Sequence, residues 1–153
     1  MTTIIKRQVC RYKLVAQPLM TKESQRIKDS LETHDFLIKE VYDKDDINVI
    51  ESFYAVFFDA DNRVKGFIKV GEGGLNSVIV DPRVIFSSAL KCLATAIIVT
   101  HNHPTGNTRP SEIDKKLTKQ LVDGGKLLNI QVMDHIIVSE RSYYSFRDHG
   151  MIN

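Results

Sequence analysis

An apolar run that stops abruptly at two histidines constrains this chain more than any other stretch. Ala94-Thr95-Ala96-Ile97-Ile98-Val99 has the length and the β-branched content of an interior strand. Thr100-His101-Asn102-His103-Pro104-Thr105-Gly106 follows directly, and Ser111 then opens an amphipathic, helix-like pattern. Residues at i and i+2 of an extended segment project to the same side. The strand therefore delivers both imidazoles to its C-terminal edge, and Asp114, in the first turn of the next helix, adds a carboxylate. His101, His103 and Asp114 fill three positions of a tetrahedral zinc and leave the fourth for water, as in a catalytic rather than a structural site.

Each of these residues also has a plainer role. A lone histidine at a strand end is usually a surface or hydrogen-bonded residue. Ser111-x-x-Asp114 ahead of an apolar helix resembles a capping box, whose side chains satisfy free backbone amides. Ser111 can serve both purposes. Asp114 is expected to serve only one, its carboxylate facing either the N-cap amide or a metal.

The spacing is more specific than a bare pair of histidines. His-x-His-Pro, ten residues to Asp114, and a serine three before that aspartate resemble the JAMM motif of MPN+/JAB metalloproteases. Asn102 between the histidines and Pro104-Thr105-Gly106 after them resemble the RadC branch of that superfamily. The similarity extends through Asp134-His135-Ile136-Ile137-Val138 and Tyr144-Ser145-Phe146. Upstream it takes in Asp81-Pro82-Arg83 and Glu51-Ser52-Phe53.

The resemblance implies an α/β (α+β) fold of the cytidine-deaminase-like JAB/MPN kind, a mixed sheet flanked by helices. It also implies one zinc per chain on His101, His103 and Asp114, which decides Asp114 for the metal. Ser111 would bond near the zinc water and the developing oxyanion. An upstream glutamate would act as general acid/base, and Glu51 matches that position, with Glu40 and Glu72 next in line. The implied chemistry is hydrolysis of a peptide or isopeptide amide by zinc-activated water.

Two other classes of function compete. The fold could serve as a non-catalytic binding module, although scaffolding MPN domains commonly lack the ligand positions present here. The RadC family is also traditionally associated with DNA repair. A net charge of +2 makes no electrostatic case for DNA, and a cluster such as Lys115, Lys116 and Lys119 is more often a solvated helix face. The first fifty residues show no Gly-containing hairpin of the helix-hairpin-helix kind.

In chain order, the expectation is an N-terminal extension over 1–46, with an edge strand over Thr3–Ala16 and a helix from Thr21 to about Glu40. A JAB-like domain over 47–153 follows, the two forming one compact unit. Within the second part come strands at Glu51–Phe58 and Val64–Val70, joined by a turn at Asp59–Asn62, and a further strand at Ser77–Val80. Asp81-Pro82 starts a helix buried along Val84, Ile85, Ala89 and Leu90. The helix after Ser111 runs to about Leu128 with Ile113, Leu117, Leu121 and Leu128 on its apolar side. Strands at Val132–Val138 and Tyr143–Phe146 close the chain.

Asp134 and His135 read as a structural pair, with contact to a metal ligand as the alternative. Asn102 is expected to make a structural hydrogen bond on the side away from its flanking histidines, and His34 and His149 to lie on the surface. Cys10 and Cys92 are too far apart for a CxxC and read as reduced thiols of a cytoplasmic protein, Cys92 buried on a helix. There is no signal peptide and no 18-residue apolar run, so no export or membrane span is expected.

Overall fold

The computed structural model describes residues 24–73 and 78–153. The strand expected over Thr3–Ala16, Cys10 and the first residues of the expected helix lie outside the described residues. Among the described residues, five strands form one mixed sheet: β1 (Ser52–Phe58), β2 (Val64–Glu72), β3 (Ala96–Asn102), β4 (Gln131–Val138) and β5 (Tyr143–Ser145). Their order is β2-β1-β3-β4-β5, and only the β3–β4 pair is parallel. A parallel pair needs a long crossover, and here α3 (Glu112–Leu128) supplies it.

The sheet has helices on both faces. α2 (Pro82–Lys91) and α3 cover one face, where Ile85, Phe86, Ala89 and Leu121 pack with Phe53, Phe57, Ile97 and Val99. On the other face, α1 (Ser30–Phe36) runs into a π-helical turn over Leu37–Val41, and Phe36, Leu37 and Val41 pack against Tyr54, Val56 and Ile98. Both faces of β1 and β3 are thus covered, so all seven residues of each strand are buried. Each fully buried Ile or Phe contributes about 1.5–3 kcal/mol. The strand that carries the histidines is accordingly a rigid support for them.

Asp81 caps α2 by accepting from the Arg83 amide at 2.9 Å, with Pro82 in the first turn, as expected. The first helix differs from expectation. It begins at Ser30, where Asp29 accepts from the Glu32 amide. Residues 26–27 are held extended against the β1–β2 turn, with an Arg26–Arg63 bridge and an Ile27 N–H to Asn62 carbonyl bond.

The strand expected at Ser77–Val80 is absent from its described part, 78–80. That segment passes over Gly71 by close packing rather than by ladder pairing. A Cβ at Gly71 would lie 2.7 Å from Val78 Cγ1 and 3.0 Å from the Ile79 carbonyl oxygen.

The buried faces of α2 and α3 also differ from the expected stripes. Val84 and Leu90 are exposed while Phe86 is buried, and α3 buries Thr118, Leu121 and Gly125 while Ile113 and Leu128 are exposed. Small residues win because α3 lies tight on the chain entering β4: a Cβ at Gly125 would run into the Ile130 carbonyl oxygen. Cys92, a free thiol at the end of α2, is half-buried, and burial raises its pKa. No helix among the described residues is long and apolar enough to cross a membrane.

Candidate metal centre

The ladder between β1 and β3 builds the site. Phe53 stands opposite His101 in this antiparallel pair. Carried two residues beyond, the same register sets Glu51 opposite His103, on the face shared by His101. Among the described residues, Glu51, His101 and His103 form a group able to hold a metal ion, each offering one ligand atom within 4.8 Å of the others. Asp114 arrives from the first turn of α3, its Oδ1 3.3 Å from His101 Nε2 and its Oδ2 3.9 Å from His103 Nε2. Glu40 sits in the π-helical turn on the opposite face, and Glu72 bonds Lys69 Nζ. Of the three candidate glutamates, only Glu51 joins the histidines.

Two of the three spacings among His101, His103 and Asp114 match a tetrahedral ion, and the third, His103 Nε2 to Asp114 Oδ2, is longer at 3.9 Å. Metal–ligand bonds of about 2.0–2.1 Å place neighbouring ligand atoms roughly 3.3 Å apart. His101 Nε2 and His103 Nε2 are separated by 3.1 Å, and His101 Nε2 and Asp114 Oδ1 by 3.3 Å. The His103 ring is held from behind, its Nδ1 donating to the Asn107 carbonyl at 2.6 Å. A carbonyl can only accept, so Nδ1 carries the hydrogen there and Nε2 is the nitrogen that His103 turns toward the cluster.

Burial lowers the His101 pKa to about 4, with Asp114 opposing the shift and His103 reinforcing it, and so favours the neutral, ligating form of the ring. Burial also raises the Glu51 pKa, with His103 pulling it down and Asp114 pushing it up. A half-buried carboxyl poised above its ordinary range is suited to exchanging protons.

Asp114 does not have to choose between cap and ligand. Its Oδ2 accepts from the Ser111 amide at 2.7 Å and from Ser111 Oγ at 2.6 Å, and Ser111 Oγ in turn accepts from the Asp114 amide at 3.1 Å. The complete capping box therefore uses one carboxylate oxygen and leaves Oδ1 facing His101. The cap thus leaves one oxygen able to face a metal, contrary to the competition anticipated from the sequence. Asp114→Asn should accordingly keep the helix cap, since Asn accepts a capping bond nearly as well. It should lower metal affinity by more than the roughly 10–100-fold typical of outer contacts, read by competition against a chelating dye. Unchanged affinity would leave Asp114 as a cap alone.

Two further residues hold the site from behind. Asn102 points to the opposite face, as expected, where its Oδ1 accepts from the Ser52 amide at 2.8 Å. Its Nδ2 donates to the carbonyls of Ile47 and Ile50 at 2.7 and 2.8 Å. These bonds bracket Glu51 in the chain, so the residue between the histidines also anchors the segment that bears the glutamate. His135, read from sequence as half of a structural pair with Asp134, instead lies 2.9 Å from His101 Nδ1.

Asp134 turns to a separate network of Ser145 Oγ and the amides of His135 and Arg147. Thr118, which the sequence reading passed over, bonds His135 Nδ1 at 2.7 Å. Its place four residues after Asp114, on the same helix face, was the available signal. His34 is not a free surface residue, since it stacks on Tyr143 with ring centroids 5.0 Å apart. His149 is exposed, as expected, but it too is held, stacking on Tyr144 with ring centroids 3.9 Å apart and donating from Nδ1 to the Ser145 carbonyl at 2.7 Å.

The sequence profile of the RadC-like JAB domain family matches residues 27–151. Similar curated proteins include a UPF0758 protein of Geotalea uraniireducens, 44% identical over 102 residues that cover 67% of this chain and 45% of the relative. One from Trichlorobacter lovleyi is 37% identical over 128 residues, covering 84% and 54%. One from Methanosarcina mazei is 41% identical over 102 residues, covering 67% and 44%. The chain spans about half the length of these relatives.

Proposed function

The chain belongs to the RadC-like JAB domain family, and on that premise we propose that it is a zinc-dependent hydrolase of peptide or isopeptide bonds. One observation supports this most: two imidazoles and two carboxylates converge where β3 ends. His101, His103 and Asp114 would hold the ion, leaving Glu51 free as the acid/base. When bound, a zinc-type ion supplies Lewis acidity, lowering the pKa of water to about 7 and polarising a carbonyl.

This chain's residues do the rest. Glu51 takes a proton from the attacking water and passes it to the leaving amine. Ser111, whose one hydroxyl proton goes to Asp114 Oδ2 in this structure, becomes the donor for the oxyanion by turning that proton away from the carboxylate during the reaction. The His101 side chain is sealed at 1% exposure while that of His103 is 20% exposed. The cluster is therefore dry at its back and open to substrate at its front.

The DNA-facing alternative gains little from Lys115 and Lys119. Lys115 pairs with Glu112 and Lys119 with Asp123, each at 2.6 Å. The test is a screen of peptide and isopeptide substrates. Turnover should vanish on treatment with a chelator and return with zinc. Turnover that survives complete metal removal would refute the proposal.

A further inference from the structure

The proton positions behind His101 follow from a chain of partners that starts in α3. Thr118 Oγ1 lies 2.6 Å from the Asp114 carbonyl oxygen. A carbonyl cannot donate, so the hydroxyl proton goes to it. The lone pairs of Thr118 Oγ1 are then what faces His135 Nδ1 at 2.7 Å, and that contact is a bond only if Nδ1 carries the hydrogen. His135 is fully buried and neither of its hydrogen-bond partners, Thr118 and His101, is a carboxylate; a charged ring would be buried unpaired, so the ring is neutral and its Nε2 is bare. That nitrogen sits 2.9 Å from His101 Nδ1 and must accept from it. The remaining nitrogen of His101, Nε2, is left without a proton.

We propose that Thr118 and His135 are positioning residues that lock His101 in its Nδ1–H form, keeping Nε2 as a bare donor atom aimed at His103 and Asp114. The lock opposes a local bias. Asp114 Oδ1, 3.3 Å from Nε2, would otherwise draw the ring proton onto that nitrogen and block it. The rings are also fixed in orientation. His135 stacks on Phe146 with centroids 4.7 Å apart, and His101 stacks on Phe53 at 5.7 Å. Asp114 and Thr118 share one turn of α3, so the element that presents the carboxylate also sets the state of the histidine it faces. The purpose of the relay rests on the metal reading above, whereas the tautomer it fixes is measurable without a metal.

Nitrogen-15 NMR of histidine-labelled, metal-free protein reads each ring directly. The parent should show Nδ1–H on both His101 and His135, and Nε2–H on His101 would overturn the proposal outright. Thr118→Val removes the acceptor for His135 Nδ1–H at nearly constant volume. His135 should then protonate at Nε2 and His101 at Nε2, and zinc affinity should fall roughly 10–100-fold. Thr118→Ser restores the hydroxyl and should restore both the parent tautomers and the affinity. A merely structural role for Thr118 would lower stability without moving the His101 proton, so Nδ1–H retained on His101 in folded Thr118→Val would also overturn the proposal. A parent with the expected tautomers that binds no zinc would support the relay and refute the metal reading.

Discussion

Replacing Glu51 by Gln is expected to give a folded, metal-loaded protein whose hydrolysis is slower by roughly 10²–10⁴-fold. Gln is nearly isosteric but cannot take a proton from water. The backbone around Glu51 is tied by Asn102 through Ser52 N–H and the Ile50 carbonyl, and by Gly73 N–H to the Glu51 carbonyl. The change should therefore leave the segment in place, and stability should move by no more than about 0.5 kcal/mol.

Because Glu51 also lies within ligand reach of both histidines, zinc affinity must be measured on the same variant. Retained affinity with lost turnover fits an acid/base. Lost affinity would instead make Glu51 a ligand. Full activity would exclude Glu51 as the base. Neither Glu40, on the far face, nor Glu72, bonded to Lys69, is placed to replace it.

The centre of the fold was legible because its signals are local. An unbroken apolar run marked β3, and period-two alternation put His101 and His103 on one face and Asn102 on the other. The capping box at Ser111 and Asp114 marked the start of α3. What alternation could not show was the partner of β3: the register with β1 is long-range, and it is what sets Glu51 opposite His103.

The buried faces of the helices misled for a different reason. α3 buries Thr118 and Gly125 beside Leu121 and leaves Ile113 exposed; at Gly125 no side chain fits, because a Cβ would run into the Ile130 carbonyl oxygen. The early helix start failed likewise, since Ile27 is buried from an extended segment and Leu31 is exposed. Thr118 and His135 are 17 residues apart and meet only because α3 crosses back over β4. The spacing of Thr118 from Asp114 places it near the site, but nothing local points to His135 as its partner.

Loss of both histidines should have the largest effect of all. Protein purified without added zinc is expected to carry about one zinc per chain by native mass spectrometry and elemental analysis. The His101→Ala, His103→Ala double variant should carry none, because a three-ligand site reduced to one protein ligand has no useful affinity. His101 is buried against Phe53 and bonded to His135, so its removal opens a cavity and the variant must first be shown to be folded by circular dichroism. The single His103→Ala variant, at the exposed front of the site, supplies a milder control and should lose most of its zinc with its fold unchanged. One equivalent of zinc in the parent and none in a folded double variant is the predicted result. Equal zinc in both would contradict the account at its centre.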